Sequence, residues 1–204
     1  MDSTKLATNK SSAWPHRFGE VRHPEDGEYI LVPRHTSYRR DYAPVGFFDS
    51  SVITNDAVQI IPYGTLYDFG IITSSIHMSW LDLVCGRIKS DYRYSGKLVY
   101  NTFPWPESSD RQRQEIEKLG RAVILARAAH PDKTMAQLYD PNKMPENLLE
   151  AHQALDRAVE KLYRDRPFRD TAERQEYLLA RYEELIEAEK AAQAGGKKKT
   201  TRKA

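Results

Sequence analysis

The sequence has one cysteine, Cys85, among 204 residues. No internal disulfide can form, and a chain that folds without one suits a reducing compartment. There is also no run of about 18 apolar residues, the length that crosses a bilayer as a helix, and the first residues lack the apolar stretch of a signal peptide. A cytoplasmic protein without a membrane span is therefore expected. An excess of one charge is missing too. The 31 basic and 29 acidic residues leave a net +2, too little to demand a nucleic-acid partner by bulk attraction, so the distribution of charge has to carry that argument. Catalytic signatures are absent: no Gly-x-Gly-x-x-Gly, no phosphate-binding Gly-x-x-x-x-Gly-Lys-[Ser/Thr], no Cys-x-x-Cys and no His-Glu-x-x-His. The six histidines are scattered without metal-ligand spacing. His77 and His152 fall in helical patterns and read as packed residues, and Cys85, with no activating base nearby in sequence, reads as a buried structural thiol.

What is present divides near Pro104-Trp-Pro106. Upstream, Glu28 to Pro33, Val45 to Phe48 and Val58 to Pro62 are short apolar runs bounded by Pro, Gly, Asp and Asn, and they predict β-strands. One helix interrupts them from about Ser74 to Cys85, with Gly86 as its stop. Downstream the pattern is helical throughout. Ser109-Asp110 caps a helix bearing Ile116, Leu119, Val123 and Ile124, and Pro145 opens a second bearing Leu148, Leu149, His152, Leu155, Val159 and Leu162. A third runs from about Asp170 to Lys190, with Leu178, Leu179, Tyr182, Leu185 and Ile186 facing inward. The expected fold is α+β: a mixed α/β domain over 13–105, then a small helical bundle over 107–190. A flexible N-terminus over 1–12 and a disordered basic tail over 191–204 flank them. Phe103-Pro-Trp-Pro106 between the halves reads as a stiff hinge plug.

The most informative stretch is Cys85 to Lys97. Arg87, Lys89, Arg93 and Lys97 alternate with Ile88, Tyr92 and Tyr94, so an extended backbone would send Arg87, Lys89, Asp91 and Arg93 to one side. Such a row suits DNA: Arg and Lys pair with guanine acceptors, and Asp accepts from the cytosine amino group. Lys89 and Asp91, two residues apart, would then read one G·C pair. An edge strand whose charges only prevent aggregation accounts for the same pattern. A second polar cluster, Arg34-His-Thr-Ser-Tyr-Arg-Arg40, offers phosphate-directed donors, and a solvated loop accounts for it equally well.

These residues stand in a familiar order. The stretches that carry the resemblance are Arg17 to Glu20, Val32-Pro-Arg34, Val45-Gly-Phe47, Ala57 to Pro62, Thr65-Leu-Tyr67, Ile72 to Ser75, His77-Met78 with Trp80, and Cys85 to Ser95. Tyr100-Asn101, Phe103 to Pro106, Leu138 to Pro141 and His152 to Val159 complete them. The chain resembles the C-terminal region of large DNA methyltransferases, including single-chain restriction-modification enzymes that fuse a nuclease, an N6-adenine methyltransferase and a target-recognition domain. The resemblance implies a target-recognition domain followed by a helical domain, with double-stranded DNA as partner. It places base-reading positions at Asp56, Ala57, Lys89, Asp91 and Arg93. Phosphate contacts are expected from Arg34, Arg39, Arg40 and Arg87.

The resemblance stops short of catalysis. The family's S-adenosylmethionine-binding glycine motif, its Asn-Pro-Pro-aromatic adenine pocket and an Asp…Glu-x-Lys nuclease motif are all missing, and Asn101 with Pro104 do not form that pocket. No catalytic, cofactor-binding or metal-binding residue is assigned to this chain. S-adenosylmethionine belongs to the parent enzyme, whose catalytic domain is expected in cis or trans, with this chain either a piece of a longer protein or a split gene product. The competing expectation is a protein-interaction or structural module that docks on another subunit without reading DNA.

Overall fold

A computed structural model describes residues 23–200, with side chains to residue 193. The expectations for 1–12 and for the last residues of the tail, 201–204, lie outside the described residues. Six strands and six helices follow in order: β1 (Glu28–Pro33), β2 (His35–Thr36), β3 (Gly46–Asp49), β4 (Val58–Pro62), α1 (Leu66–Ile72), α2 (Ser75–Val84), β5 (Gly86–Ile88) and β6 (Asp91–Arg93). A π-helical turn (Gly96–Tyr100) leads to α3 (Asp110–Ala128), α4 (Met135–Leu138), α5 (Glu146–Tyr163) and α6 (Thr171–Thr200).

The strands form two antiparallel sheets of three, ordered β3-β1-β4 and β2-β6-β5. β1 is central to the first, its apolar run burying Tyr29, Ile30 and Val32, and it pairs β3 on one side and β4 on the other. Two helix starts are written locally. Thr65 and Asp68 make a reciprocal capping box at α1, and Ser74 caps α2, each satisfying amides that the first turn leaves unpaired.

The α+β class expected from periodicity is what the chain adopts, but its two halves share one core. Buried Ile30, Phe69, Ile76 and Trp80 from the first half belong to the same apolar cluster as Ile116, Leu148, Leu155 and Leu178 from the second. The joint is tightest where α1 crosses α3. A Cβ on Gly70 would meet Ile116 Cγ2 at 2.6 Å, and one on Gly120 would meet the Leu66 carbonyl at 3.1 Å. Phe103 is buried at the seam, edge-on to His77 at 4.7 Å and to Trp105 at 5.3 Å, while the Tyr163 hydroxyl donates to the Pro104 carbonyl. The Phe-Pro-Trp-Pro segment plugs the seam.

The downstream helices form the expected helical region, in which α3 and α5 pack on each other and on α1, and α6 packs mainly on α2. Two expectations for α6 are corrected. On α6, Leu178 is buried but Leu179 and Leu185 are 44% and 42% exposed, because α2 offers only a narrow strip to cover it. The same helix runs to Thr200 and past Lys190; the Ala- and Lys-rich residues there favour helix without tertiary help, while Gly195 and Gly196 oppose it.

Candidate nucleic-acid interface

The charged stretch from Arg87 to Arg93 is a hairpin, which overturns the single extended strand expected from the alternation. β5 and β6 pair with Ile88 opposite Asp91 and Arg87 opposite Tyr92, so Lys89 and Ser90 are the two turn residues. Lys89 has φ 56°, the left-handed conformation a two-residue hairpin demands of its first central position. Lys89 and Asp91 therefore do not share a strand face. Residues directly opposite each other do, which leaves His35, Ile88, Asp91 and Arg93 on the outer face and Thr36, Arg87 and Tyr92 on the inner one.

Asp82 of α2 clamps the inner face. Its Oδ1 accepts from the Tyr92 hydroxyl at 2.9 Å and from Arg87 Nη2 at 2.5 Å, and its Oδ2 accepts from Gln175 Nε2 of α6 at 2.7 Å. Burial pushes the Asp82 carboxyl up, but these donors outweigh it and hold it below the usual carboxylate range. Burial and the Asp82 carboxylate raise the Tyr92 phenol to about 12. Arg87 also lies over the Tyr92 ring at 4.7 Å and donates to the Ser90 carbonyl. Its guanidinium is thus engaged within the protein.

Arg34 is the junction between the two sheets. Its N–H donates to the Ala57 carbonyl at 3.0 Å, its carbonyl accepts from the Tyr94 N–H at 2.8 Å, and its Nε donates to the Val58 carbonyl at 3.3 Å. The exposed turn Asp56-Ala57, shaped by the Asn55 side chain accepting from the Ala57 N–H, is thereby brought beside Arg93 of β6. Between β4 and the residues that follow Arg93 opens a groove of about 680 Å³ lined by Arg34, Gln59, Arg93, Lys97, Tyr100 and Asn101 among others, with no carboxylate in its wall. The remaining arginines of the first cluster part company. Arg39 is exposed, whereas Arg40 Nε donates to the Tyr139 carbonyl of the helical region at 3.1 Å. Asp91 Oδ1 accepts from the Tyr38 N–H, tying this loop to the hairpin.

The structure thus brings Arg34 and Arg93 into one groove, leaves Asp56, Ala57 and Asp91 outside its lining, Lys89 at the hairpin tip and Arg39 in solvent, and commits Arg40 and Arg87 to internal contacts. Sequence reasoning missed Asp82, the clamp, and Gln59, a groove wall. No local pattern marks either, since their roles come from elements that meet only in the fold. Cys85 is half-buried rather than buried, and burial raises its thiol. His77 is packed, its Nε2 3.1 Å from the Tyr94 hydroxyl, and burial lowers it to about 3. Among the described residues no cluster of His, Cys, Asp or Glu could hold a metal, and no helix is long and apolar enough to cross a membrane.

Comparison with known proteins supplies the family. DNA methyltransferase A of Bacillus subtilis (strain 168) is 40% identical over 185 residues, covering 91% of this chain and 21% of that protein. The solved structure of the Type IIL restriction-modification enzyme MmeI in complex with DNA superposes with a TM-score of 0.83 at 37% identity, covering 91% of this chain and 25% of that one. The chain spans only about a fifth to a quarter of the length of these relatives. Residues 1–107 match the MmeI target recognition domain and residues 108–188 the MmeI C-terminal domain, and the chain accordingly belongs to the MmeI target-recognition family.

Proposed function

We propose that this chain is the sequence-reading part of a restriction-modification DNA methyltransferase, binding duplex DNA in the cytoplasm and positioning a separate adenine-methylating domain on its target. The observation that carries the reading is the groove lined by Arg34, Arg93 and Lys97 without a carboxylate, beside which Arg34 ties the Ala57 backbone to that of Tyr94, in a chain of this family. In the major groove, Arg93 would donate to guanine O6 and N7 and Asp91 would accept from a cytosine amino group. Lys89 at the hairpin tip would reach a neighbouring base edge, and Asp56 and Ala57 would contact the next position. Arg34 and Arg39 would meet phosphates, which fix register without carrying sequence. Arg40 and Arg87 would serve the same interface indirectly, by holding the loop and the hairpin in place.

The described residues do not fit S-adenosylmethionine. Both sheets are antiparallel, whereas open α/β folds bind such ligands at the carboxyl ends of parallel strands. In this proposal the cofactor and methyl transfer belong to the separate catalytic domain.

The test is made in the enzyme that carries both parts. Asp91→Arg combined with Arg93→Glu reverses the proposed donor and acceptor, and sequencing of the methylated sites should show one position of the motif changed. Each contact should discriminate by about 1–3 kcal/mol. An unchanged motif at full activity would remove these residues as readers.

A further inference from the structure

We infer that the groove between β4 and the π-helical turn seats a backbone phosphate of the bound duplex, and that Lys97 is the cation on its far wall. This rests on the DNA reading proposed above and adds a contact to it. Two of the four arginines expected to meet phosphates spend their donors inside the protein: Arg40 on the Tyr139 carbonyl and Arg87 on Asp82 and the Ser90 carbonyl. The groove collects cations instead. Arg34, Arg93 and Lys97 line it, the Gln59 and Asn101 amides add neutral donors, and no Asp or Glu lines it to neutralise them. Three cations facing one open groove without a carboxylate repel each other unless an anion sits between them.

The spacing selects the phosphate row over a second base. Lys97 follows Arg93 by four residues and lies in the π-helical turn, so the two stand closer than four extended residues would span, about 14 Å. In a major groove about 12 Å wide, the base edges occupy the middle and the phosphates the rims. With Arg93 at a base edge, Lys97 on the same groove would meet the flanking backbone, and Arg34 would approach from the Ala57 side. Lys97 is exposed and belongs to no ion pair among the described residues, so its substitution leaves the core untouched.

The test measures binding of this chain to two labelled duplexes of unrelated sequence across a salt series. Lys97→Gln should flatten the slope of log affinity against log salt by about 0.9, the release expected for one phosphate, with the same loss on both duplexes. Lys97→Arg should restore the slope. Lys118→Gln, which removes an exposed charge from α3, should leave it unchanged. An unchanged slope for Lys97→Gln, a loss confined to one duplex, or an equal loss for Lys118→Gln overturns the phosphate seat. Salt-dependent binding by the unaltered chain combined with any of these sinks the groove alone, whereas no binding to either duplex sinks the DNA reading with it.

Discussion

At the scale of single residues, a chain of buried and half-buried polar groups joins the two halves. Arg127 Nε donates to the Tyr139 hydroxyl at 2.6 Å, that hydroxyl lies 2.8 Å from His152 Nε2, and His152 stacks on Tyr42 at 4.1 Å. The Tyr42 hydroxyl donates to Asp156 Oδ2 at 2.7 Å, and Asp156 Oδ1 accepts from the Ser75 N–H that opens α2. Burial drives the Asp156 carboxyl up to about 6 despite those donors. Its folded pKa is thus above the ordinary value, so the folded state keeps a proton that the unfolded chain has released. The contribution is full below about pH 4 and is lost as pH rises through 6. His77 has the opposite sign: lowered to about 3 by burial, it contributes above pH 6.5 and loses that contribution as pH falls. Asp156→Asn keeps an acceptor for Ser75 but cannot titrate. The stability of the unaltered chain relative to Asp156→Asn should therefore rise by up to about 3 kcal/mol between pH 7 and 4, read from urea midpoints. Parallel pH profiles for the two would contradict the assignment.

At the scale of elements, two places decide how the interface is presented. The first is the β5–β6 turn, where Lys89 holds φ 56° at a cost of about 1 kcal/mol that glycine does not incur. Lys89→Gly is expected to leave stability equal or up to about 1 kcal/mol higher while deleting a proposed reader, which separates reading from folding. Lys89→Val should destabilise the hairpin, since a β-branched residue resists that conformation. Thermal melting checks both. The second is the α1–α3 crossing. Gly70→Ala brings a methyl to 2.6 Å from Ile116 Cγ2, an atom attached to a stiff Cβ. Overpacking of about 1–3 kcal/mol should outweigh the helix-propensity gain of about 1 kcal/mol. A double-mutant cycle with Ile116→Ala should show favourable coupling, and simple additivity would mean that the helices separate freely.

At the scale of the whole molecule, the helical region is part of what shapes the reading surface. Gln175 of α6 holds Asp82, which holds the hairpin, and Tyr139 and Asp156 hold the Arg40–Tyr42 loop. A chain cut after Pro106 exposes the faces of α1 and α2 that α3, α5 and α6 cover, and it should show no cooperative unfolding transition. Removing Lys197 to Ala204 instead touches none of these contacts and should leave stability and the recognised motif unchanged. A cooperative melt from the shorter chain would show two independent domains.

The elements with the strongest local signals were legible because those signals agreed with burial: the β1 apolar run, the start of α2 near Ser74, the Pro145 start of α5 and the Val58–Pro62 strand all stand where the residues alone put them. The family was legible as well, in the ordered motifs from Arg17 to Val159. The Lys89 turn was not, because Lys-Ser is no usual hairpin pair and the charge alternation fits one strand as well as two short ones. Nor was it legible which arginines remain free. Arg34, Arg39, Arg40 and Arg87 are alike as letters, and only the arrival of Tyr139 beside Arg40 and Asp82 beside Arg87 separates them. Sequence by itself determined the fold class, the four longer helices and the family, since each depends on neighbours within a few turns of chain, whereas the short helices Leu66–Ile72 and Met135–Leu138 were not read from it. Tertiary structure decided which charges face outward, because that depends on partners up to 99 residues away that no local pattern encodes.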